Sequence, residues 1–147
     1  MTITESSPNA ITHAVTVHRP WGHAIAHLGK PVENRNYRCH LPIGTLIAIH
    51  NGAAWDYQAL AQVKEIAQQP DLKLTYNTDP AMFVIAIARF GGNVTEHESP
   101  WFFGHWGWLL EDVTLIEPVF CRGQQRIWRL TPIAAAQVNA NYQVASP

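Results

Sequence analysis

The run AMFVIAIARF at residues 81–90 constrains the fold of this chain more than any other segment. It has the length of a strand, and its apolar residues are nearly continuous instead of alternating with polar ones. This pattern predicts a central strand that is covered on both faces. A chain of 147 residues with 47% hydrophobic residues can supply the core that such a strand needs. The sequence therefore predicts a folded domain built around this strand.

The remaining elements predict a mixed fold. Five further segments have strand patterns, at residues 14–17, 46–50, 108–110, 113–118 and 125–131. Apolar residues at helical spacing predict a short helix that begins at Pro20 and ends at Gly29, and a longer helix over residues 55–69. The sequence GGN after residue 90 predicts a turn. Because strands and helices do not alternate regularly, we expect an α+β domain built on a curled sheet or small barrel.

The ends of the chain and its cysteines suggest a cellular setting. Residues 1–12 predict a flexible N-terminal arm, so the expected single domain spans residues 13–147. No apolar run is long enough to span a membrane, and the polar start lacks the features of a secretory signal. We therefore expect a cytoplasmic protein without a membrane partner, with Cys39 and Cys121 as reduced thiols. The sequence leaves the oligomeric state open.

The charge distribution is more informative than the net charge of −1, which argues against nucleic-acid binding through bulk electrostatics. Two windows, residues 18–40 and 119–129, contain seven of the ten basic residues and one of the eleven acidic residues. If the fold brings the windows together, they form a basic face that suits a phosphate-bearing ligand. The alternative is that these arginines pair with acids elsewhere on the surface.

The segment between the first predicted helix and the strand at residues 46–50 concentrates three charged side chains, Lys30, Glu33 and Arg35. An ammonium and a guanidinium can bind phosphate or a base carbonyl, and a carboxylate can accept from an exocyclic amine or hold the lysine. In an extended chain, residues 33 and 35 project to the same side. The segment is thus a candidate binding site, or alternatively an ion pair that pins a loop.

A family resemblance rests on these residues. The pattern PWGHAIAHLGKPVENR followed by GTLIAIHNG resembles the start of the ASCH (activating signal cointegrator homology) domain family, whose GxKxxExR hallmark is here Gly29, Lys30, Glu33 and Arg35. Residues 81–90 resemble the central strand of that family, and residues 103–130 resemble the closing section of its compact bacterial and phage-type members. The resemblance covers residues 15–131 and implies a PUA-like mixed β-barrel with flanking short helices.

The resemblance also implies a cleft for RNA, a modified nucleoside or nucleotide, or a single-stranded nucleic acid. The residues expected to bind the ligand there are Trp21, Lys30, Glu33, Arg35, Arg38, Trp101, Arg122 and Arg126. Trp101 opens an aromatic stretch that provides either a stacking platform or core residues. No cofactor is expected. No metal site is predicted either, because His23 and His27 have ligand spacing without a third ligand.

Two alternative functions stay open. Some relatives resemble amidohydrolases acting on N4-acetylcytidine, in which a threonine follows the lysine by three positions, where this chain has Glu33. A hydrolase of that type, or a ribonuclease, would use Lys30 and Glu33, with His50 as a weaker candidate acid or base beside Lys30. The second alternative is a protein-interaction module that uses the stretch from Trp101 to Trp108.

Overall fold

The computed structural model describes residues 10–146. Over this range the chain forms six strands and three helices, which alternate irregularly as the sequence predicts. They are β1 (His13–Arg19), α1 (Trp21–His27), β2 (Val32–Arg35), β3 (Leu46–Trp55), α2 (Ala59–Ala67), β4 (Phe83–Val94), β5 (Trp106–Phe120), β6 (Ile127–Arg129) and α3 (Pro132–Ala145). The α+β class is confirmed.

The strands form one mixed sheet in the order β2-β5-β4-β3-β1-β6. β1 and β3 are parallel, and all other neighbouring pairs are antiparallel. β4 lies inside the sheet, and its residues Val84–Ala88 are all buried. Val84 and Ile87 pack into the cluster that contains α3, whereas Ile85 packs into the cluster on the opposite face. The predicted central strand with two covered faces is confirmed.

Within residues 10–146 backbone hydrogen bonds do not close the sheet, whose outer strands are β2 and β6, so the predicted barrel closure is not confirmed. β1 pairs with β6 only over His13–Val15, and beyond that point its edge carries no strand. There the carbonyl of Thr16 accepts from the Arg35 guanidinium at 2.8 Å instead of from the β2 backbone. The Arg35 side chain therefore links β2 to β1, at a place where a closed barrel would have backbone hydrogen bonds between neighbouring strands.

Several predicted boundaries are wrong. The helix expected over residues 55–69 is only Ala59–Ala67, because Trp55 still belongs to β3. The expected turn after residue 90 lies within β4, where a register shift between Phe90 and Asn93 accommodates the glycines. The two strands expected at 108–110 and 113–118 are one continuous strand, β5, with Asp112 at φ 50°. In the last two cases tertiary pairing extends a strand through residues that favour a turn locally.

The sequence analysis missed α3, which packs its buried Ala134 and Val138 against the sheet. The start of this helix carries a clear signal. The Thr131 hydroxyl accepts from the backbone N–H of Ala134 at 3.3 Å, and Pro132 occupies the first turn. A threonine cap followed by proline is a frequent helix start, and this pair of residues could have located the helix.

The N-terminal boundary lies earlier than residue 13. Ile11 is fully buried, and its backbone N–H and carbonyl bond the Asn139 side chain at 2.8 and 2.9 Å. Residues 11 and 12 therefore belong to the fold. The flexible arm stays a prediction for residues 1–9, which lie outside the described residues. No helix within residues 10–146 has the length and apolarity required to cross a membrane.

Candidate functional site

An open cleft of about 430 Å³ lies where the end of β1, the first turn of α1 and β2 meet. Four of the predicted binding residues line it, namely Trp21, Lys30, Glu33 and Arg35. Lys30 and Glu33 are only 2% and 5% exposed, so the little surface they retain faces this cleft. The structure thus brings together the residues of the Gly29–Arg35 segment.

The end of α1 delivers Lys30 to the bottom of the cleft. Gly29 has φ +74°, a left-handed conformation that glycine adopts without steric cost. It turns the chain so that the Lys30 N–H donates to the Ala24 carbonyl at 3.2 Å, and the Lys30 side chain is buried. The Lys30 ammonium then lies 3.3 Å from Glu33 Oε1 and 5.4 Å from the centroid of the Trp21 ring.

β2 places Glu33 and Arg35 side by side, as the alternation of an extended chain predicts. Glu33 Oε2 accepts from Arg35 Nε at 2.9 Å and lies 2.9 Å from Arg35 Nη2. The carboxylate is therefore held between two cations, Lys30 on Oε1 and Arg35 on Oε2. One negative and two positive charges leave the floor of the cleft with a net charge of +1.

Burial affects the two cations differently. Desolvation lowers the pKa of the Lys30 ammonium, and the charge of Glu33 opposes this shift without cancelling it. Burial also disfavours the Arg35 guanidinium, but attraction to Glu33 and bonding to Glu33 and Tyr37 prevail and raise its pKa. Arg35 is consequently a fixed charge, whereas Lys30 is the group in the cleft whose charge is easier to remove.

Aromatic side chains form the walls of the cleft. Trp21 and Phe103 both line it and meet edge to face, with ring centroids 5.8 Å apart. Asn34 holds the Phe103 loop in place, because its amide accepts from the Phe103 N–H and donates to the Trp101 carbonyl, both at 2.9 Å. Tyr37 lines the cleft next to β2. These rings offer planar apolar surface to a ligand.

Trp101 itself is not part of the wall. It is 6% exposed and packs with Val63 in a core cluster between α1 and α2, whereas Phe103 lines the cleft. Trp108 is fully buried as well. The protein-interaction alternative therefore cannot use the tryptophans at either end of the stretch from Trp101 to Trp108. Because residues 101–103 are all aromatic, the sequence contains no pattern that distinguishes Trp101, in the core, from Phe103, in the cleft.

The outer arginines are distributed over several places. Arg126 is exposed and lies 4.0 Å from the centroid of the Tyr37 ring, so the second basic window meets the first at the rim of the cleft. Arg122 is exposed on the same segment but does not line the cleft. Arg38 stacks over Trp106 at 5.4 Å and lines a separate groove. Arg19 is buried and does not contribute to a basic face.

His50 does not lie in the cleft, contrary to the prediction that places it beside Lys30. It is fully buried, with Nε2 bonded to the Cys121 carbonyl at 2.7 Å and Nδ1 bonded to the Thr16 hydroxyl at 3.2 Å. Burial lowers the pKa of its imidazole. Because both ring nitrogens are engaged, His50 serves the core. Residues 10–146 contain no group of three His, Cys, Asp or Glu side chains that could hold a metal ion.

Comparison with solved structures gives the same architecture. The crystal structure of ASCH from Zymomonas mobilis matches with a TM-score of 0.55 at 15% identity, over 90% of this chain and 95% of that chain. The crystal structure of a mutant of that same protein matches with a TM-score of 0.55 at 14% identity, over 89% and 97% of the two chains. The chain has the ASCH-type fold. No family model and no curated protein matches the sequence. The predicted resemblance is confirmed as a likeness of fold.

In this ASCH-type fold the cleft combines two kinds of binding surface. Its floor holds the buried Lys30 and Glu33 and the half-buried Arg35, which can exchange hydrogen bonds with polar groups of a ligand. Its walls present the faces and edges of three aromatic rings, from Trp21, Tyr37 and Phe103. A ligand with a flat heterocycle and attached polar groups fits both surfaces.

Proposed function

We propose that the cleft binds RNA, or a nucleotide with the same chemistry, without necessarily cleaving it. The observation that carries this proposal is the buried Lys30–Glu33–Arg35 cluster at the floor of an open cleft. Moving charges out of water is costly, and charged clusters in clefts are therefore frequent at functional sites. A purely structural ion pair would gain little from facing a cleft of this size.

The surroundings of the cluster support a nucleotide as the ligand. A base inserted between Trp21, Phe103 and Tyr37 gains stacking energy, which is about 1–3 kcal/mol per base in proteins that bind single strands. Arg126 at the rim can then meet a backbone phosphate. The ASCH resemblance implies the same ligand class on the same residues, Gly29 to Arg35.

Binding to short oligonucleotides tests the proposal. Fluorescence anisotropy would compare labelled single-stranded RNA, double-stranded RNA and single-stranded DNA at two salt concentrations. We expect Lys30→Ala and Arg35→Ala each to lower RNA affinity at least about tenfold, because each removes a charged contact. Lys73→Ala, at an exposed position outside both basic windows, is the matched control. Unchanged affinity and unchanged salt dependence in both cleft variants, with folding verified by circular dichroism, would overturn the proposal.

A hydrolase is the second candidate, and the lowered pKa of Lys30 favours it. A neutral Lys30 could accept a proton from a water molecule as its oxygen bonds to the carbonyl carbon of an amide. The carbon–nitrogen bond then breaks, and the departing amine takes up the proton. Glu33 would position Lys30. Chromatography after incubation with N4-acetylcytidine tests this candidate, because cytidine and acetate that disappear in Lys30→Ala would identify an enzyme.

A further inference from the structure

The hydrogen-bonding order at the floor of the cleft has a direct counterpart in one nucleobase edge. Lys30 donates to Glu33 Oε1 and Arg35 donates to Glu33 Oε2, so a donor group stands on either side of one acceptor group. The Watson–Crick edge of uracil carries the complementary order, which is the O4 carbonyl, the N3–H donor and the O2 carbonyl. Cytosine and adenine each place an amino donor where uracil has the O4 carbonyl, and a ring-nitrogen acceptor where uracil has the N3–H. Both positions therefore have the opposite hydrogen-bonding character.

The cluster retains the bonding capacity that such a ligand would use. Lys30 Nζ has three N–H groups and uses one of them, toward Glu33. Of the five N–H groups of Arg35, Nε bonds Glu33, the two on Nη2 face the Thr16 carbonyl and Glu33, and one on Nη1 reaches Tyr37 at 3.4 Å. Among residues 10–146 the other Nη1 donor has no partner. Over the same range Glu33 Oε1 accepts from Lys30 alone, so it keeps a lone pair for a donor on the ligand.

A phosphate is a poorer match for the floor. The Glu33 carboxylate lies within 3.3 Å of Lys30 and 2.9 Å of Arg35, so an anion bound to both cations would also approach a negative charge. Because the Glu33 carboxylate is almost fully buried, solvent screens this repulsion only weakly. A neutral ring that offers two carbonyl oxygens and one N–H satisfies all three groups. The phosphate is better placed at the rim near Arg126.

We infer that the cleft selects the imide edge of a uracil-type base, with its carbonyl oxygens on Lys30 and Arg35 and its N3–H on Glu33. The inference rests on the proposed nucleotide binding and adds the base class to it. Sites that bond a polar edge reject ligands lacking that edge, because their own buried polar groups are then left without partners. Thymine has the same imide edge, so it shares the recognition chemistry with uracil.

Calorimetric titration with the 5′-monophosphates of uridine, cytidine, adenosine, guanosine and thymidine tests the inference. We expect the uridine nucleotide to bind at least about tenfold more tightly than the cytidine and adenosine nucleotides, given the usual discrimination by paired base-edge contacts. N3-methyluridine monophosphate is the sharpest ligand control, because it keeps both carbonyls and loses the N3–H. It should bind about as weakly as the cytidine nucleotide.

Glu33→Gln tests the central acceptor, because a glutamine amide can donate to the N3 atom of cytosine. We expect this variant to reduce the uridine-to-cytidine ratio toward one, while Glu117→Gln, at an exposed position on β5, keeps the wild-type ratio. Equal binding of all nucleotides by the wild type would overturn the selectivity and leave nucleotide binding intact. An unchanged ratio in a folded Glu33→Gln variant would also overturn it. Failure of every nucleotide and of RNA to bind would overturn the proposed function itself.

Discussion

Two buried charged clusters in this molecule differ in where their hydrogen bonds go. Arg19 is 2% exposed and donates to the backbone carbonyls of Ala53, Tyr76 and Asp79 at 2.7, 2.7 and 2.6 Å. Asn51 donates to the Asp79 carboxylate at 2.8 Å. These bonds tie the segment before β4 to β1 and β3. The Arg19 cluster, formed by Arg19, Asn51 and Asp79, thus joins distant parts of the backbone.

The Lys30 cluster, formed by Lys30, Glu33 and Arg35, is as deeply buried at Lys30 but is bonded mainly within itself. Within residues 10–146 the Arg19 cluster also has polar atoms without a partner, at Arg19 Nε, Asn51 Oδ1 and Asp79 Oδ2, but these atoms are buried. The Lys30 cluster differs because it lines an open cleft that the Arg19 cluster does not reach. The comparison teaches that burial of charge alone does not identify a binding site. A binding site is indicated instead by buried charged groups that face a cleft and still have unused hydrogen-bonding capacity. A ligand that bonds to such groups recovers part of the free energy lost when their charges left water.

Arg19→Ala should have the largest effect of the changes considered, and it should act on stability. Removing the guanidinium leaves the buried Asp79 carbonyl and the partly buried Ala53 and Tyr76 carbonyls without their donor. Breaking a buried charged cluster typically costs about 3–5 kcal/mol. Urea unfolding followed by tryptophan fluorescence measures this loss. Nucleotide affinity per folded molecule should stay the same. A loss below about 1 kcal/mol would show that the Arg19 cluster is not structural.

Lys30→Met should lower RNA affinity and change stability little, which is the opposite of the effect expected for Arg19→Ala. Methionine keeps most of the buried volume and removes the cost of a buried charge, so stability should change by less than about 2 kcal/mol in either direction. RNA affinity should fall at least about tenfold, because the contact to the ligand is charged. Lys73→Met, at an exposed lysine, is the control for both measurements. A stability loss as large as that of Arg19→Ala, with unchanged affinity, would make the two clusters equivalent.

The Lys30 cluster was predictable from the sequence because its geometry is local. Helical spacing before Gly29 and an extended segment after it suffice to bring Lys30, Glu33 and Arg35 together. The Arg19 cluster was not predictable, since the partners of Arg19 lie 34 to 60 positions away in sequence. The same applies to His50, whose partners Thr16 and Cys121 become neighbours only when β1, β3 and the end of β5 assemble.

The fold class was predictable from the sequence, but whether the sheet closes into a barrel was not. The apolar run of β4 indicates a central strand because burial on both faces leaves a direct compositional trace. Whether the sheet closes depends on pairing between edge strands, and no local pattern reports that pairing. In this chain the Thr16 carbonyl accepts a hydrogen bond from the Arg35 side chain, at the place where a closed barrel would need a backbone hydrogen bond.

Protonation of His23 should produce a smaller effect on α1, the helix between the two clusters. Burial and the neighbouring His27 lower the pKa of His23 to about 4. The unfolded chain therefore binds more protons between pH 4 and 6.5, so the stabilising contribution is complete above pH 6.5 and is lost as the pH falls toward 4. After allowance for solvent screening we expect about 1 kcal/mol. His23→Gln should flatten unfolding curves over this range, and an identical slope in the variant would contradict the assignment.

Arg126→Ala should have the smallest effect. Arg126 is exposed and contacts the cleft through the Tyr37 ring, so its loss should leave stability within about 0.5 kcal/mol of the wild type. RNA affinity should fall about threefold, with the salt slope smaller by about one unit, because one phosphate contact is lost. The preference among bases should not change. A variant that loses base selectivity would show instead that the rim takes part in base recognition.

Amide chemical-shift mapping with a short oligouridine tests the central claim most directly. Nitrogen-15-labelled protein would be titrated with the oligonucleotide and followed residue by residue. The account predicts shifts concentrated at Val32–Arg35, the Trp21 indole and Phe103, with the amides around Asn51 and Asp79 unchanged. Shifts confined to α3 or to the groove beside Arg38, or an unchanged spectrum at saturating RNA, would contradict the assignment of this cleft as the binding site.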